Sequence, residues 1–368
     1  MTSARVARGM KMKDLAEATE ISRQMISNYE SGKTVPKAEN LLKIISVLEF
    51  PKGFFQEDTH LLNNGATYFR CQSSATKKIR DMQKERLIYA KMVYDRLALY
   101  VNFPVVKLPS LLDKEIKEIM EEDIEKKAQE TRSLWGVDSI SPIDNLMVLA
   151  ESCGIIVVEA NMADNKLDAV SRWIMDRPFI MLTDNGESAV RRRFNIAHEL
   201  GHIILHNSVE SIHDYSAVEL KKMEQQANMF AAHLLLPNEA FISTLLSTSL
   251  EFYVDLKRYW KVSIQAMIYK THNLGFINDD QKLYLNKKIA WNKWKKKEPL
   301  DEELPLERPI LFKRVYQMIL DNNVLSRNEL NTLFNLPFDE LEKMLNTAIS
   351  LEVEKMDIRP HLRLLKEI

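Results

Sequence analysis

Apolar positions in the first fifty residues recur at helical spacing in short bursts. Met12–Thr19 carries Leu15 and Ala16, Ser22 stands as a cap before RQMISNYES, and Gly32 stops that segment. Pro36 precedes a further helix with Leu41, Leu42, Ile45 and Leu48 on one stripe. Four or five short helices are therefore expected over residues 3–50, with Phe50, Pro51, Gly53, Phe54 and Phe55 as a packed exit. From Thr76 to Tyr100, Ile79, Met82, Leu87, Tyr89, Met92, Val93 and Leu97 predict one long amphipathic helix. Leu111–Leu134 repeats the pattern, and Ser141-Pro142 predicts a helix start running through Leu149.

The apolar period then changes. GIIVVEA (154–160), DAVSRWI (168–174) and RPFIMLTD (177–184) are rich in strand formers and separated by polar turns, which predicts a small three-stranded sheet. Asn185-Gly186 closes the last strand, and a helix begins near Ser188. A second helix runs from Ala217 to Leu236 and ends at Pro237, and two more fill 251–275, the latter capped by Ser263. Three short helices are expected over 310–321, 326–334 and 338–349. The fold class is thus α+β, mainly helical. Its expected parts are an all-α domain (1–58), a helical linker region (59–139), a core holding the sheet (140–280) and a helical C-terminal region (281–368).

Composition narrows the functional classes only a little. Of 368 residues, 45% are apolar and 28% charged, an ordinary balance for a soluble globular chain. Lys plus Arg number 51 against 52 Asp plus Glu, so a polyanionic partner can be met only by a local patch. The start, MTSARVARGMKMKDL, lacks an apolar secretion signal, and no apolar run approaches the roughly 18 residues of a membrane span. A soluble, cytoplasmic protein with no membrane partner is expected. Cys71 and Cys153 form no disulfide framework and fit a reducing compartment as small core or surface residues.

The chemistry concentrates in RRRFNIAHELGHIILH (191–206). His198 and His202 lie four apart, so on a helix they stack on one face about 6 Å apart along the axis. Two imidazoles so placed converge on one divalent ion at roughly 2.0–2.1 Å per bond. Glu199 sits about 100° round the helix, beside the ion and not on it, where a carboxylate serves as general base. The competing reading is an amphipathic helix with histidines on its surface or satisfied in its core. Phe194, Ile196, Ala197, Ile203 and Ile204 should bury this helix, and unpartnered imidazoles there would be costly.

A catalytic zinc takes three protein ligands. His206 lies another ~6 Å along the axis and cannot share the ion, so it reads as a helix-end residue favoured by the dipole. His213 sits in a loop of unknown path. The better third ligand is Glu224, in MEQQANMFAAHLLLP, on a helical face with Ala227, Asn228, Ala231 and Leu235. Asn228, one turn on, is suited to hydrogen-bond a ligating histidine. Tyr215, His213 and Arg172 are near in sequence as oxyanion donors, but nothing selects among them.

FNIAHELGHIILH followed by EQQANMFAAHLLLP resembles the ImmA/IrrE family of zinc metallopeptidases. LDAVSRW and RPFIMLTDN resemble the strands that introduce the family's active-site helix, and VSIQAMIYKTHNLGFI (262–277) resembles the helical pair that follows. The resemblance covers 140–280 and implies a zincin-like core with His198, His202 and Glu224 as zinc ligands and Glu199 as general base. Many members have Glu where this chain has Gln226, which leaves Glu224 as the acid of this segment. The implied substrate is a transcriptional repressor whose cleavage derepresses an operon of a phage, mobile element or stress locus. A His-His-Glu set also accommodates manganese or iron.

DLAEATEISRQMISNYESGKTVPKAENLLKI resembles the Xre-type helix-turn-helix of phage repressors. Leu15, Ala16, Ile21, Ile26 and Leu41 would form its small core, while Arg23, Gln24, Ser27 and Asn28 point outward toward a major groove of double-stranded DNA. Lys33 near Gly32 suits a phosphate. Residues 1–52 carry nine basic and six acidic side chains, a net of +3. A helical interaction module without DNA binding is the competing reading, and the first helix, barely two turns before Lys11, is short for the family. WNKWKKKEP (291–299) is either a solvated linker face or a stacking and charge platform around Trp291 and Trp294. The whole chain reads as a DNA-binding regulator that is also a zinc endopeptidase. Its rivals are a transcription factor with a non-catalytic metal site and a toxin–antitoxin or phage-defence component acting through protein contacts.

Overall fold

The apolar runs predicted as strands pair into one mixed sheet in the computed structural model, which describes residues 1–56, 67–71, 77–112, 114–160, 167–183, 185–207, 209 and 214–349. Its strands are β1 (Thr67–Cys71), β2 (Ile156–Ala160), β3 (Leu167–Ile174) and β4 (Arg177–Thr183), in the spatial order β1-β3-β4-β2. β3 and β4 form a hairpin with Ile174 opposite Arg177, and the turn places Met175 at φ 57°. β2 joins β4 in parallel, with Ile156 opposite Phe179. The edge strand β1 was not expected from the sequence; it pairs antiparallel with β3.

Four short helices open the chain: α1 (Thr2–Ala7), α2 (Met12–Thr19), α3 (Arg23–Glu30) and α4 (Ala38–Leu48). α5 (Lys77–Leu97), α6 (Glu121–Leu134) and α7 (Leu146–Ser152) follow. α8 (Ala189–Leu205) and α9 (Ala217–Leu235) hold the candidate site. α10 (Asn238–Thr244), α11 (Leu250–Trp260), α12 (Ile264–Asn273) and α13 (Asp279–Trp291) come next, and α14 (Leu311–Asp321), α15 (Arg327–Leu333) and α16 (Phe338–Leu345) end the described chain.

β2 and β4 are buried on both faces, which is why they read as nearly continuous apolar runs. Successive side chains alternate faces. Val157, Ala169, Ile180 and Leu182 join one core with α8, α9 and α11–α13. Ile156, Val158, Val170, Phe179 and Met181 join the other, with α1–α5 and α14–α16. The N-terminal helices are therefore built into the second core. Arg86 of α5 meets Glu340 of α16 at 3.0 Å, both side chains at least nine-tenths buried, and Arg8 meets Asp339 at 2.7 Å. The short α1 is fastened the same way, with Ser3 bonded to Glu85 and Tyr89 of α5.

Three expectations are corrected. Leu111–Leu134 is not one helix: α6 starts at Glu121, and among the described residues of 111–120 only a single 3₁₀ turn, Ile116–Glu118, precedes it. Ser141-Pro142 does not open α7; Asn145 does, its side chain accepting from the Val148 amide at 2.9 Å. In α4 the inward positions are Ile44 and Leu48, whereas Leu42 is 65% exposed. The run LLKII offers two registers, and packing selected the one that seats Ile44.

Candidate metal centre

α8 enters the site anchored at its first turns by buried arginines. Arg192 pairs with Glu159 of β2 and Glu187, and donates to the Thr183 carbonyl at 3.1 Å. Arg193 pairs with Glu307 and donates to the Ile143 carbonyl at 2.8 Å. Trp173 of β3 donates its indole N–H to the Ile203 carbonyl at 3.0 Å, holding the far end against the sheet. α9 starts with a capping box in which Ser216 and Glu219 satisfy each other's backbone amides at 3.3 and 2.9 Å. Gly201 lets the two helices close: a Cβ built there would meet the Ala227 Cα at 3.0 Å.

That approach brings the predicted ligands together. His198 Nε2 and His202 Nε2 lie 3.0 Å apart, and each is 3.4 Å from an oxygen of Glu224. A tetrahedral ion with bonds of about 2.0–2.1 Å keeps its ligand atoms about 3.3 Å apart. Both histidines are buried, while the Glu224 side chain is 35% exposed and opens the site to solvent. Among the described residues these three are the one His/Cys/Asp/Glu group close enough to hold an ion.

Hydrogen positions follow from the surrounding network. The Gln226 amide donates to the Ile116 and Ile119 carbonyls at 2.9 and 3.2 Å, which turns its oxygen toward His206. His206 Nε2–H donates to that oxygen at 3.0 Å. Burial lowers the His206 pKa to about 3, so the ring is neutral and its Nδ1 accepts. The donor to that Nδ1 is His202 Nδ1–H, 3.0 Å away. Asn228 accepts from His198 Nδ1–H at 2.9 Å. Both rings consequently turn Nε2 lone pairs toward each other and toward a carboxylate. Three electron-rich atoms at this spacing repel unless a cation lies among them, and the donor set fits a divalent metal ion.

Glu199 is fully buried on α8 beside this group and is not one of its three members. His206 corrects the sequence reading: it is the C-cap of α8, but burial keeps it neutral, so it does not act as a dipole-stabilised cation. It is a support for His202 that the sequence reading missed, and the repeated spacing of four from His198 to His206 was the available signal. Tyr215 packs with Ile116, Val209 and Met223, and Arg172 is buried in β3. His213 and the Cys71 side chain lie outside the described residues. Cys153 is a buried free thiol whose pKa burial raises.

At the other end of the chain, Ser22 caps α3 by accepting from the Met25 amide at 3.3 Å. Leu15, Ile21 and Ile26 are buried beneath it, with Ala16 partly buried against them. Arg23, Gln24 and Lys33 are exposed, Ser27 and Asn28 half-exposed, and Gln24 donates to the Asn28 side chain at 3.2 Å. Arg5 clamps the end of α3 through Glu30 at 2.6 Å. Trp291 is 88% exposed, whereas Trp294 packs against the core beneath α8 and α9.

Comparison with known families gives two matches. Residues 150–272 match the peptidase family described as the IrrE N-terminal-like domain, and residues 2–55 match the helix-turn-helix family. No curated protein matches the chain.

Proposed function

From a chain that joins an ImmA/IrrE-type peptidase domain to an N-terminal DNA-binding helix-turn-helix, we propose a metal-dependent endopeptidase that cleaves a repressor-type protein and so relieves repression of an operon. The observation that carries the hydrolytic reading is Glu199, a buried acid next to the three-ligand group and outside it. A metal with a purely structural task has no use for such an acid; a hydrolase does. His198, His202 and Glu224 would hold the ion, and zinc is the metal best suited to two imidazoles and one carboxylate. When bound, it supplies Lewis-acid polarisation of a carbonyl and acidification of a water molecule.

The chain's own side chains do the rest. Asn228 and His206 orient the two ligating rings through their Nδ1 hydrogens. Glu199 takes a proton from the attacking water and delivers it to the leaving amine. Its complete burial keeps that proton from bulk solvent. Arg23, Gln24, Ser27 and Asn28 would read base edges, and Lys33 would hold a phosphate. A peptidase carrying its own DNA-reading helices is brought close to proteins bound on DNA, which supports a repressor as the substrate.

The test is co-expression with each helix-turn-helix repressor of the source genome, wild type against Glu199→Gln, with fragments identified by mass spectrometry. Wild type should yield two defined fragments, and the variant should yield none while keeping its metal. Every repressor intact in both would refute the proposal.

A further inference from the structure

The stripes that face each other along α8 and α9 continue past the metal centre. His202 stands near Glu224, and His198 is bonded to Asn228. One turn closer to the start of α8 stands Phe194, its ring centroid 6.5 Å from that of His198, and Leu235 is at the corresponding end of α9. Phe194 is also one wall of a pocket of about 240 Å³, closed by Leu235, Val262 and Trp294, with room for one leucine- or phenylalanine-sized side chain.

Its mouth is basic. Lys295 and Lys296 are exposed there. The two acids of the lining are already engaged: Glu298 and Asp301 pair with buried Lys257 at 2.9 and 2.6 Å. Glu298 also accepts from the Ile264 and Gln265 amides at 2.8 and 3.1 Å, capping α12. Trp294, Lys295 and Lys296 come from chain beyond residue 272, where the peptidase-family match ends, so this wall is an addition made by the tail.

We propose that this pocket is a substrate subsite that accepts one large apolar side chain of the peptide, next to the scissile bond and flanked by an acidic residue. The inference rests on the peptidase reading above. Burial of such a side chain changes affinity on the order of tenfold to a hundredfold. The flanking charge adds a smaller, salt-sensitive preference because the lysines are exposed.

The test uses the full-length, zinc-loaded Glu199→Gln protein, which separates binding from cleavage. Fluorescence anisotropy compares three labelled nonapeptides: a central phenylalanine between aspartates, the same centre between lysines, and a central glycine between aspartates. The first should bind at least tenfold tighter than the third. Lys295→Glu with Lys296→Glu should invert the preference between the first and second, with circular dichroism and zinc content unchanged. Equal binding of all three peptides, or an unaltered preference after charge reversal, overturns the proposal. So does displacement of the peptide by a nine-nucleotide single strand that binds more tightly, which would reassign the face to nucleic acid. Wild-type cleavage of the same peptides is read separately. Binding without cleavage would count against the peptidase reading alone, and cleavage of peptides that ignore the pocket would count against the subsite alone.

Discussion

His202 and His206 face each other Nδ1 to Nδ1 at 3.0 Å, and the proton between them belongs to His202. The assignment follows from Gln226, whose amide is oriented by two backbone carbonyls and therefore offers only its oxygen to His206. Gln226, two residues beyond Glu224, thus fixes which nitrogen of His202 faces Glu224.

Removing that support should loosen the ion without removing a ligand. His206→Phe keeps the buried volume but loses the acceptor, and metal affinity should fall about 10–100-fold. His206→Gln, which can present an oxygen to His202 Nδ1–H, should recover much of the loss. Competition with a chromophoric chelator measures both, and nitrogen-15 shifts of the His202 ring report the tautomer. Equal affinities in all three proteins would remove His206 from the site.

The C-terminal helices should give a pH signature of their own. Glu151 accepts from the Ile310 and Leu311 amides at 3.0–3.1 Å at the start of α14, and burial raises its pKa to about 7. The folded state then holds a proton that the unfolded chain has released above pH 4.5. Stability from this group is complete below about pH 4.5 and is lost as pH rises to about 7, with a total on the order of 3 kcal/mol. Glu151→Gln cannot titrate. Denaturant melts of the two proteins should therefore show a difference that falls between pH 5 and 7; a constant difference would contradict the assignment.

The N-terminal module makes separable predictions on DNA. Gln24, steadied by Asn28, should contact one base pair, so Gln24→Ala should cost about 1–3 kcal/mol and relax preference at that position. Lys33→Ala should weaken all sequences alike and reduce the salt slope by about one. A binding selection followed by salt titration distinguishes them; no recovered motif at low salt would favour an interaction module instead.

The parts of this molecule that sequence alone made legible are those where one periodic stripe meets one core. The strands at 156–160, 167–174 and 177–183 and the helices α8 and α9 are of this kind, because both sheet faces and both helix stripes are buried. That His198 and His202 would converge was legible for the same reason, since four residues on a helix fix a direction. Less legible were features set by backbone groups. The Ile116 and Ile119 carbonyls that hold Gln226 have no residue signature, and the charged run 114–120 imitates an α-helix where only a 3₁₀ turn forms. β1 pairs through backbone with β3, so TYFRC gave little apolar alternation to find. The fusion of α1–α5 with α14–α16 depends on contacts hundreds of residues apart, such as Arg86 with Glu340, which no local pattern encodes.

Hydrolysis, as proposed, depends on a divalent ion held between His198 and His202 of α8 and Glu224 of α9. The most direct measurement is metal stoichiometry and affinity of the full chain, by elemental analysis and chelator competition, for wild type, His202→Phe and Glu224→Ala. One zinc per wild-type chain is expected, with affinity reduced by at least about a thousandfold in His202→Phe and sharply in Glu224→Ala, both variants remaining folded. A wild-type chain that binds no divalent ion, or variants that bind it as tightly as wild type, would contradict it.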